Sequence, residues 1–216
     1  MGSAEKETGT VCPTNRQQWR EWLQANHAEK QSVWLIYHKK KSASSGIVYT
    51  DAVDEALCFG WIDSQSKPLD QETYRQFFSR RKPASVWSRI NKEKVQRLIS
   101  EGRMTPAGLA AIDRAKENGS WTMLDEVEQL IIPTDLEQAF EQKPNAKNYF
   151  LSLCRSDKRA ILQWLVLAKR EETRQNRITE LVELADRRLK PKLLQGAKKR
   201  AVVAEKPATD HPDLLA

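Results

Sequence analysis

The residues best suited to chemistry fall in three stretches of the chain. The first is Asp54-Glu55-Ala56-Leu57-Cys58-Phe59-Gly60-Trp61-Ile62-Asp63. It sets a thiol, two helix-borne acids and a strand-borne acid around a helix-to-strand turn. One reading is a pocket in which Cys58 or Asp63 acts on a bound ligand. The other is a buried structural cysteine beside a tight glycine turn, since no histidine lies near in sequence to activate the thiol.

The second stretch runs Ser79-Arg80-Arg81-Lys82-Pro83-Ala84-Ser85-Val86-Trp87-Ser88 and on to Lys92. Three successive cations precede a helix whose N-terminus itself attracts anions. Arg81, Ser85 and Ser88 then form an anion-binding site with Trp87 as its apolar wall, and Asp63 joins Arg81 and Trp87 in a small-ligand pocket. Alternatively Trp87 is core, Ser88 only caps the helix, and the cations pair with the acids of 51–72. The third stretch places Arg170, Arg174 and Arg177 at spacings of four and three, on one face of a helix. That face either grips phosphates or an acidic partner, or pairs with acids such as Glu171 or Glu180 as a structural clasp.

Familiar catalytic signatures are absent: no CxxC, HxxxH, HExxH or GxSxG, and no Gly-rich phosphate loop. No catalytic residue and no cofactor is assigned. His27, His38 and His211 are too scattered to suggest a zinc site.

The elements that must position these residues begin with a leader over 1–11. Thr14 and Gln17 form a capping box for a helix to about Asn26, burying Trp19, Trp22 and Leu23. Val33–Tyr37 reads as a buried strand, and Lys39–Gly46 as a polar loop. Thr50 caps a short acidic helix that stops at Gly60. Trp61–Gln65 and Tyr74–Phe78 are two strands around a turn at Pro68–Glu72. Ser88 caps the next helix, and Thr105-Pro106 opens another. Thr134-Asp135-Leu136-Glu137 is a further capping box, and Asn145–Leu153, Asp157–Ala168 and Glu171–Leu189 are helical.

The fold class is therefore α+β, a small N-terminal β-sheet with helices followed by a mainly helical C-terminal region. The expected divisions are a disordered leader at 1–11, an α+β portion at 12–120, a linker at 121–133, a helical portion at 134–190 and a basic, flexible tail at 191–216.

Composition narrows the function classes. The 216 residues carry 39% apolar and 30% charged side chains, with seven tryptophans to supply buried area. The longest apolar stretch worth naming, Trp164–Ala168, is far short of the roughly 20 residues that cross a bilayer. No secretory signal is visible, and three widely spaced cysteines suit a reducing compartment, so the expected location is cytoplasmic. The net charge of +7 is concentrated: residues 155–200 hold fourteen Lys and Arg against six acids. Basic helices meet phosphates or acidic surfaces, so a small anionic ligand, a protein partner and nucleic acid all stay open.

Four ordered motifs resemble the YdeI/OmpD-associated family, also called bacteriocin-protection proteins. They are Ala52-Val53-Asp54-Glu55-Ala56-Leu57-Cys58-Phe59-Gly60-Trp61-Ile62-Asp63, Ser85-Val86-Trp87-Ser88-Arg89-Ile90-Asn91-Lys92, Arg103-Met104-Thr105-Pro106-Ala107-Gly108-Leu109, and Trp164 with Ala168-Lys169-Arg170-Glu171-Glu172-Thr173-Arg174. The likeness covers roughly 15–190 and departs from the family pattern at Arg80, where relatives often have proline. It implies a stress-related binding protein that protects against bacteriocins or cationic antimicrobial peptides. It carries over no catalytic residues. Two alternatives stand beside it: nucleic-acid binding through the basic loop and helix, and an unrecognised enzyme or small anionic-ligand binder.

Overall fold

A computed structural model describes residues 9–39 and 46–195. Residues 1–8 of the expected leader, 40–45 of the polar loop and 196–216 of the expected tail lie outside the described residues. The chain divides into two compact units between Asp125 and Glu126.

The first unit is built on a four-stranded sheet. Its strands are β1 (Thr10–Val11), β2 (Ser32–His38), β3 (Trp61–Pro68) and β4 (Thr73–Arg80), in the order β1-β2-β4-β3. β1 lies parallel to β2, and the other pairings are antiparallel. Thr10 and Val11, which the sequence places in a leader, are thus edge-strand residues. β3 and β4 both run further than the aromatic runs suggest, because Asp70 closes the hairpin tightly. Its carboxylate accepts from the Glu72 and Thr73 N–H groups at 2.8 and 2.6 Å and from the Thr73 hydroxyl at 2.7 Å. Alternation along the strands sends Val33, Leu35, Tyr37, Phe78 and Trp61 into the core.

Four helices complete this unit: α1 (Arg16–Asn26), α2 (Tyr49–Cys58), α3 (Arg89–Ser100) and α4 (Pro106–Glu117). Ser88 and Thr105 cap α3 and α4, as their sequences require. Two other caps move by a residue or more. Asn15, not Thr14, accepts from Gln18 N–H at 2.9 Å, while the Gln18 side chain reaches back to Thr14 N–H. α2 starts from Val48, whose carbonyl accepts from Ala52 N–H at 3.0 Å, so Thr50 sits inside the first turn.

α2 is the helix on which this unit turns. Every residue from Ala52 to Cys58 is buried, including Asp54 and Glu55. Glu55 has no exposed surface and accepts from Arg16 and Arg20 of α1, both at 2.5 Å, and from Arg103. Asp54 accepts from Lys94 at 2.6 Å and from Arg97, both on α3. The acids of α2 are therefore matched by five cations from outside it. Trp19 adds a neutral tie, its indole N–H donating to Ala52 C=O at 3.0 Å.

The second unit is helical. It contains most of α5 (Asp125–Gln129), then α6 (Thr134–Glu141), α7 (Pro144–Ser152), α8 (Arg155–Val166), α9 (Glu171–Asp186) and α10 (Lys192–Gln195). α5 falls within the expected linker, and α10 within the expected tail. The capping box expected at Thr134 is displaced: Pro133 precedes the helix and Thr134 is its first residue. Leu136, Phe140, Phe150, Ile161, Leu162, Leu165, Ile178 and Leu181 form the buried face, with the Phe140 and Phe150 rings 5.5 Å apart. The architecture is α+β.

Burial works to raise the pKa values of Asp54 and Glu55, but the surrounding cations outweigh it and hold both below the usual carboxylate range. A folded-state pKa below the unfolded value gives stability that is full above the unfolded pKa, about 4, and lost as pH falls through the lower folded value. Glu55→Gln should cost about 3–5 kcal/mol at pH 7, because three guanidiniums lose a buried partner. Denaturant titrations should also show a flatter decline of stability from about pH 5 to pH 2 in the variant than in the parent.

Candidate functional site

The C-terminal end of β4, far from the hairpin turn, delivers Arg81 into the interior of the first unit. Its backbone N–H donates to Gly60 C=O at 2.9 Å, which fastens the end of β4 to the turn between α2 and β3. Gly60 has φ +72°, and a Cβ there would stand 3.0 Å from the Ala107 carbonyl. Only glycine supplies that backbone at so close an approach. Gly108 is held still more tightly, since a Cβ on it would lie 2.2 Å from Cys58 C=O. α4 thereby lies directly on the C-terminal end of α2.

Arg81 is only 9% exposed. Its guanidinium carbon lies 3.7 Å from the centre of the Trp87 ring, and Nη2 donates to Val86 C=O at 2.7 Å. Nε and Nη1 are buried with no partner. Burial pushes the Arg81 guanidinium down to about 10, against the opposing pull of Asp63. Arg81 differs from the arginines around Glu55 in that no carboxylate among the described residues is bonded to it, although Arg16 Nη2 and Arg103 Nε are also buried without a partner. The Trp61 and Trp87 indole nitrogens are likewise buried and unpartnered.

Beside Arg81 lies a cleft of about 290 Å³, all of it within the first unit. Phe59, Gly60 and Trp61 form one wall, Ala107, Ala110 and Ala111 of α4 the floor, and His27, Ala28, Arg80 and Arg114 the remaining rim. Arg80 is occupied, since its Nε donates to His27 C=O at 2.8 Å and its Nη2 to Ala28 C=O. His27 Nδ1 contacts Leu23 C=O at 2.9 Å, and its ring lies 5.1 Å from Phe59. Arg114 is exposed.

The residues singled out in the sequence separate here. Arg81 and Trp87 come together. Asp63 lies on β3, accepting from Tyr49 at 2.8 Å and from Gln76 at 3.0 Å; it acts on Arg81 through its charge, and neither Asp63 nor Trp87 lines the cleft. Ser85 closes a turn through its N–H to Lys82 C=O at 2.9 Å, and Ser88 accepts from Asn91 N–H at 3.3 Å as the cap of α3. Cys58 is fully buried, and burial first, then the Glu55 charge, pushes its thiol pKa up, which makes it a poor nucleophile. The cleft residues that sequence reasoning missed are His27, Trp61, Arg114 and the alanines of α4. Gly60 was the one local sign of close packing, and alanines far along the chain gave none. Among the described residues no group of three His, Cys, Asp or Glu side chains is placed to hold a metal ion. Among them, too, no helix is long and apolar enough to cross a membrane.

The basic face of α9 is tied down within the second unit. Arg174 binds Asp135 of α6 through Nε and Nη2, the latter at 2.9 Å, and its Nη1 donates to Leu165 C=O at 3.1 Å. Arg177 stacks 4.9 Å from the Trp164 ring centre and donates to Trp164 C=O. Both carbonyls belong to the last turn of α8, and the Leu165 C=O also accepts from the Ala168 N–H at 3.0 Å. Arg170 precedes α9 and is exposed.

Residues 129–188, which carry this clasp, match the family model described as bacteriocin-protection, YdeI or OmpD-associated. This stretch is a YdeI/OmpD-associated domain. The YdeI/OmpD-associated domain takes in Trp164 and the Ala168–Arg174 motif. The three earlier motifs fall instead within residues 11–111, which match a domain of unknown function (DUF8412). The cleft beside Arg81 is formed mostly by that second domain, Arg114 of α4 lying just past its match. No curated protein and no solved structure matches the chain.

A structural arginine and a ligand-binding one respond differently to removal. Replacing a buried, unpaired charge by an apolar side chain of similar length is usually neutral or stabilising. Arg81→Met should therefore leave the ligand-free protein within about 1 kcal/mol of the parent in denaturant unfolding, against the large loss at Glu55. A loss above about 2 kcal/mol would make Arg81 a structural residue like Arg20.

Proposed function

We propose that this chain is a stress-related binding protein that holds a small anionic ligand at Arg81 and acts by binding, not turnover. The observation that carries the reading is the Arg81 guanidinium itself, buried against Trp87 with two donors unused beside a cleft. A buried charge without a partner is costly, and an anion that reached the guanidinium would remove that cost. Protection against bacteriocins or cationic antimicrobial peptides comes from the description of the family matched at 129–188 and belongs to this proposal. So does a cytoplasmic location, which the three free thiols at Cys12, Cys58 and Cys154 favour.

Nucleic-acid binding has less support. Arg174 is paired with Asp135, and Arg80 and Arg177 are tied to backbone carbonyls, so these three side chains are less free to grip phosphates.

Thermal unfolding of the full chain with inorganic phosphate, short carboxylates, nucleotides and a single-stranded oligonucleotide tests the reading. A binding anion at a hundred times its dissociation constant adds about 2.7 kcal/mol, or roughly 5–10 °C in Tm for a chain of this size. That shift should vanish in Arg81→Met. A shift with the oligonucleotide alone, abolished by salt, would transfer the function to nucleic acid. No shift with any anion would remove the cleft from consideration.

A further inference from the structure

We infer that the cleft of the first unit holds a small phosphate monoester between Arg80 and Arg114. This goes beyond the reading above, because the donors it uses reach the surface and are not those of Arg81. Charge, free donors and the size of the lining set the ligand class.

The lining includes His27, Arg80, Arg81 and Arg114 and contains no Asp or Glu. Neither Arg80 nor Arg114 is paired with a carboxylate among the described residues, although Glu29 and Asp113 lie close by in the sequence. Arg81 adds a third charge from behind. Its guanidinium lies against Trp87 and Val86, which do not line the cleft, so it supplies potential and no donor. A single exposed ion pair is worth little, but cations gathered on one concave surface without acids reinforce each other. They carry more charge than a carboxylate or a phosphodiester neutralises. A phosphate monoester brings about two negative charges at neutral pH and three acceptor oxygens.

Three accessible groups are free to meet those oxygens. The ties that keep Arg80 from following a polynucleotide, Nε to His27 C=O and Nη2 to Ala28 C=O, also fix its guanidinium in place. Its remaining nitrogen, Nη1, has no partner among the described residues and is not buried. Arg114, on α4, is exposed with every donor free. Guanidiniums suit phosphate oxygens in charge and in geometry. His27 Nδ1 meets Leu23 C=O, which leaves Nε2 unpartnered and unburied. With Nδ1 donating to that carbonyl, Nε2 accepts from a protonated phosphate oxygen, and in the charged ring it donates to an ionised one.

The body of the ester has little room. Phe59 and Trp61 are themselves buried, so the accessible apolar lining is Ala28, Ala107, Ala110 and Ala111. The volume of about 290 Å³ sits at the lower end of ligand pockets, which run roughly 300–1,000 Å³.

Isothermal titration of the full chain with phenyl phosphate, inorganic phosphate, dimethyl phosphate and benzoate tests this, with Arg114→Gln and Arg81→Met as variants. Arg114 is exposed and unpaired, so glutamine keeps α4 and leaves the ligand-free Tm unchanged. Phenyl phosphate should bind at least about tenfold more tightly than the monoanions dimethyl phosphate and benzoate. It should also bind more tightly than inorganic phosphate, which has no body to set on the alanines. Arg114→Gln should weaken it about tenfold or more, the loss of one charge-assisted hydrogen bond, and Arg81→Met should weaken it less. Benzoate or dimethyl phosphate binding as tightly as phenyl phosphate would overturn the dianion class. Inorganic phosphate binding as tightly would overturn the ester. Binding abolished by Arg81→Met and untouched by Arg114→Gln would overturn these donors and uphold the reading at Arg81. Binding weakened by Arg114→Gln and kept in Arg81→Met would uphold the phosphate site and overturn that reading. No binding by any of these anions would overturn both.

Discussion

The first unit depends on two carboxylates that have no access to water except through cations. Asp54 and Glu55 are adjacent on α2, and adjacent residues on a helix point about 100° apart. One acid therefore faces α1 and Arg103 while the other faces α3. Burying them would be prohibitive alone, so α1 must present Arg16 and Arg20, and α3 must present Lys94 and Arg97. The apolar residues of α2 drive burial without direction; the two acids supply the direction. They fix which neighbours lie on which side and hold α2 in one rotation about its axis. The C-terminal end of α2 is then available for Gly108 to approach, and the turn at Gly60 follows.

Against that background Arg81 stands out. Glu55 gathers three guanidiniums, whereas the Arg81 guanidinium has an aromatic ring, one carbonyl and a distant Asp63 charge. Around α2 the unit pairs its two buried carboxylates with five cations. An arginine left with two idle donors in such a unit marks a place where stability is given up locally. Such places cluster at binding sites, where a ligand restores what the protein lacks.

Much of the fold was legible in the sequence, and the reason is local. Ser88 and Thr105-Pro106 carry their own helix starts, and the β-branched and aromatic runs at 33–37, 61–65 and 74–78 carry their own strands. Of the misplaced caps, Thr14 gives way to the Asn15 side chain one residue on, whereas α2 and α6 begin at Val48 and Pro133 with no side-chain cap. β1 escaped notice because two residues hold no period, and only pairing with β2 makes them a strand. The site was half legible. Arg81 and Trp87 lie six residues apart, so a loop could be expected to bring them together. Trp61, Ala107 and Ala110 share a cleft with Arg81 because Gly60 and Gly108 allow backbones to touch, and that is information about space that no spacing along the chain contains.

Arginine holds elements together in both units, and Arg81 is the exception in the first. In the YdeI/OmpD-associated domain, Arg174 and Arg177 close the open end of α8 and bind α9 to α6 through Asp135. Arg174 uses all three of its donor nitrogens in this way, and Arg177 its Nη1. A sequence motif containing Arg170, Arg174 and Trp164 can therefore persist for structural reasons and still identify the domain. In the first unit the Arg81 side chain holds only the Val86 C=O and the face of Trp87. The family description belongs to the domain whose arginines are structural, while the idle cation lies in the domain of unknown function. Any account of the whole chain that rests on the family description alone thus omits the unit with the chemically unsatisfied residue.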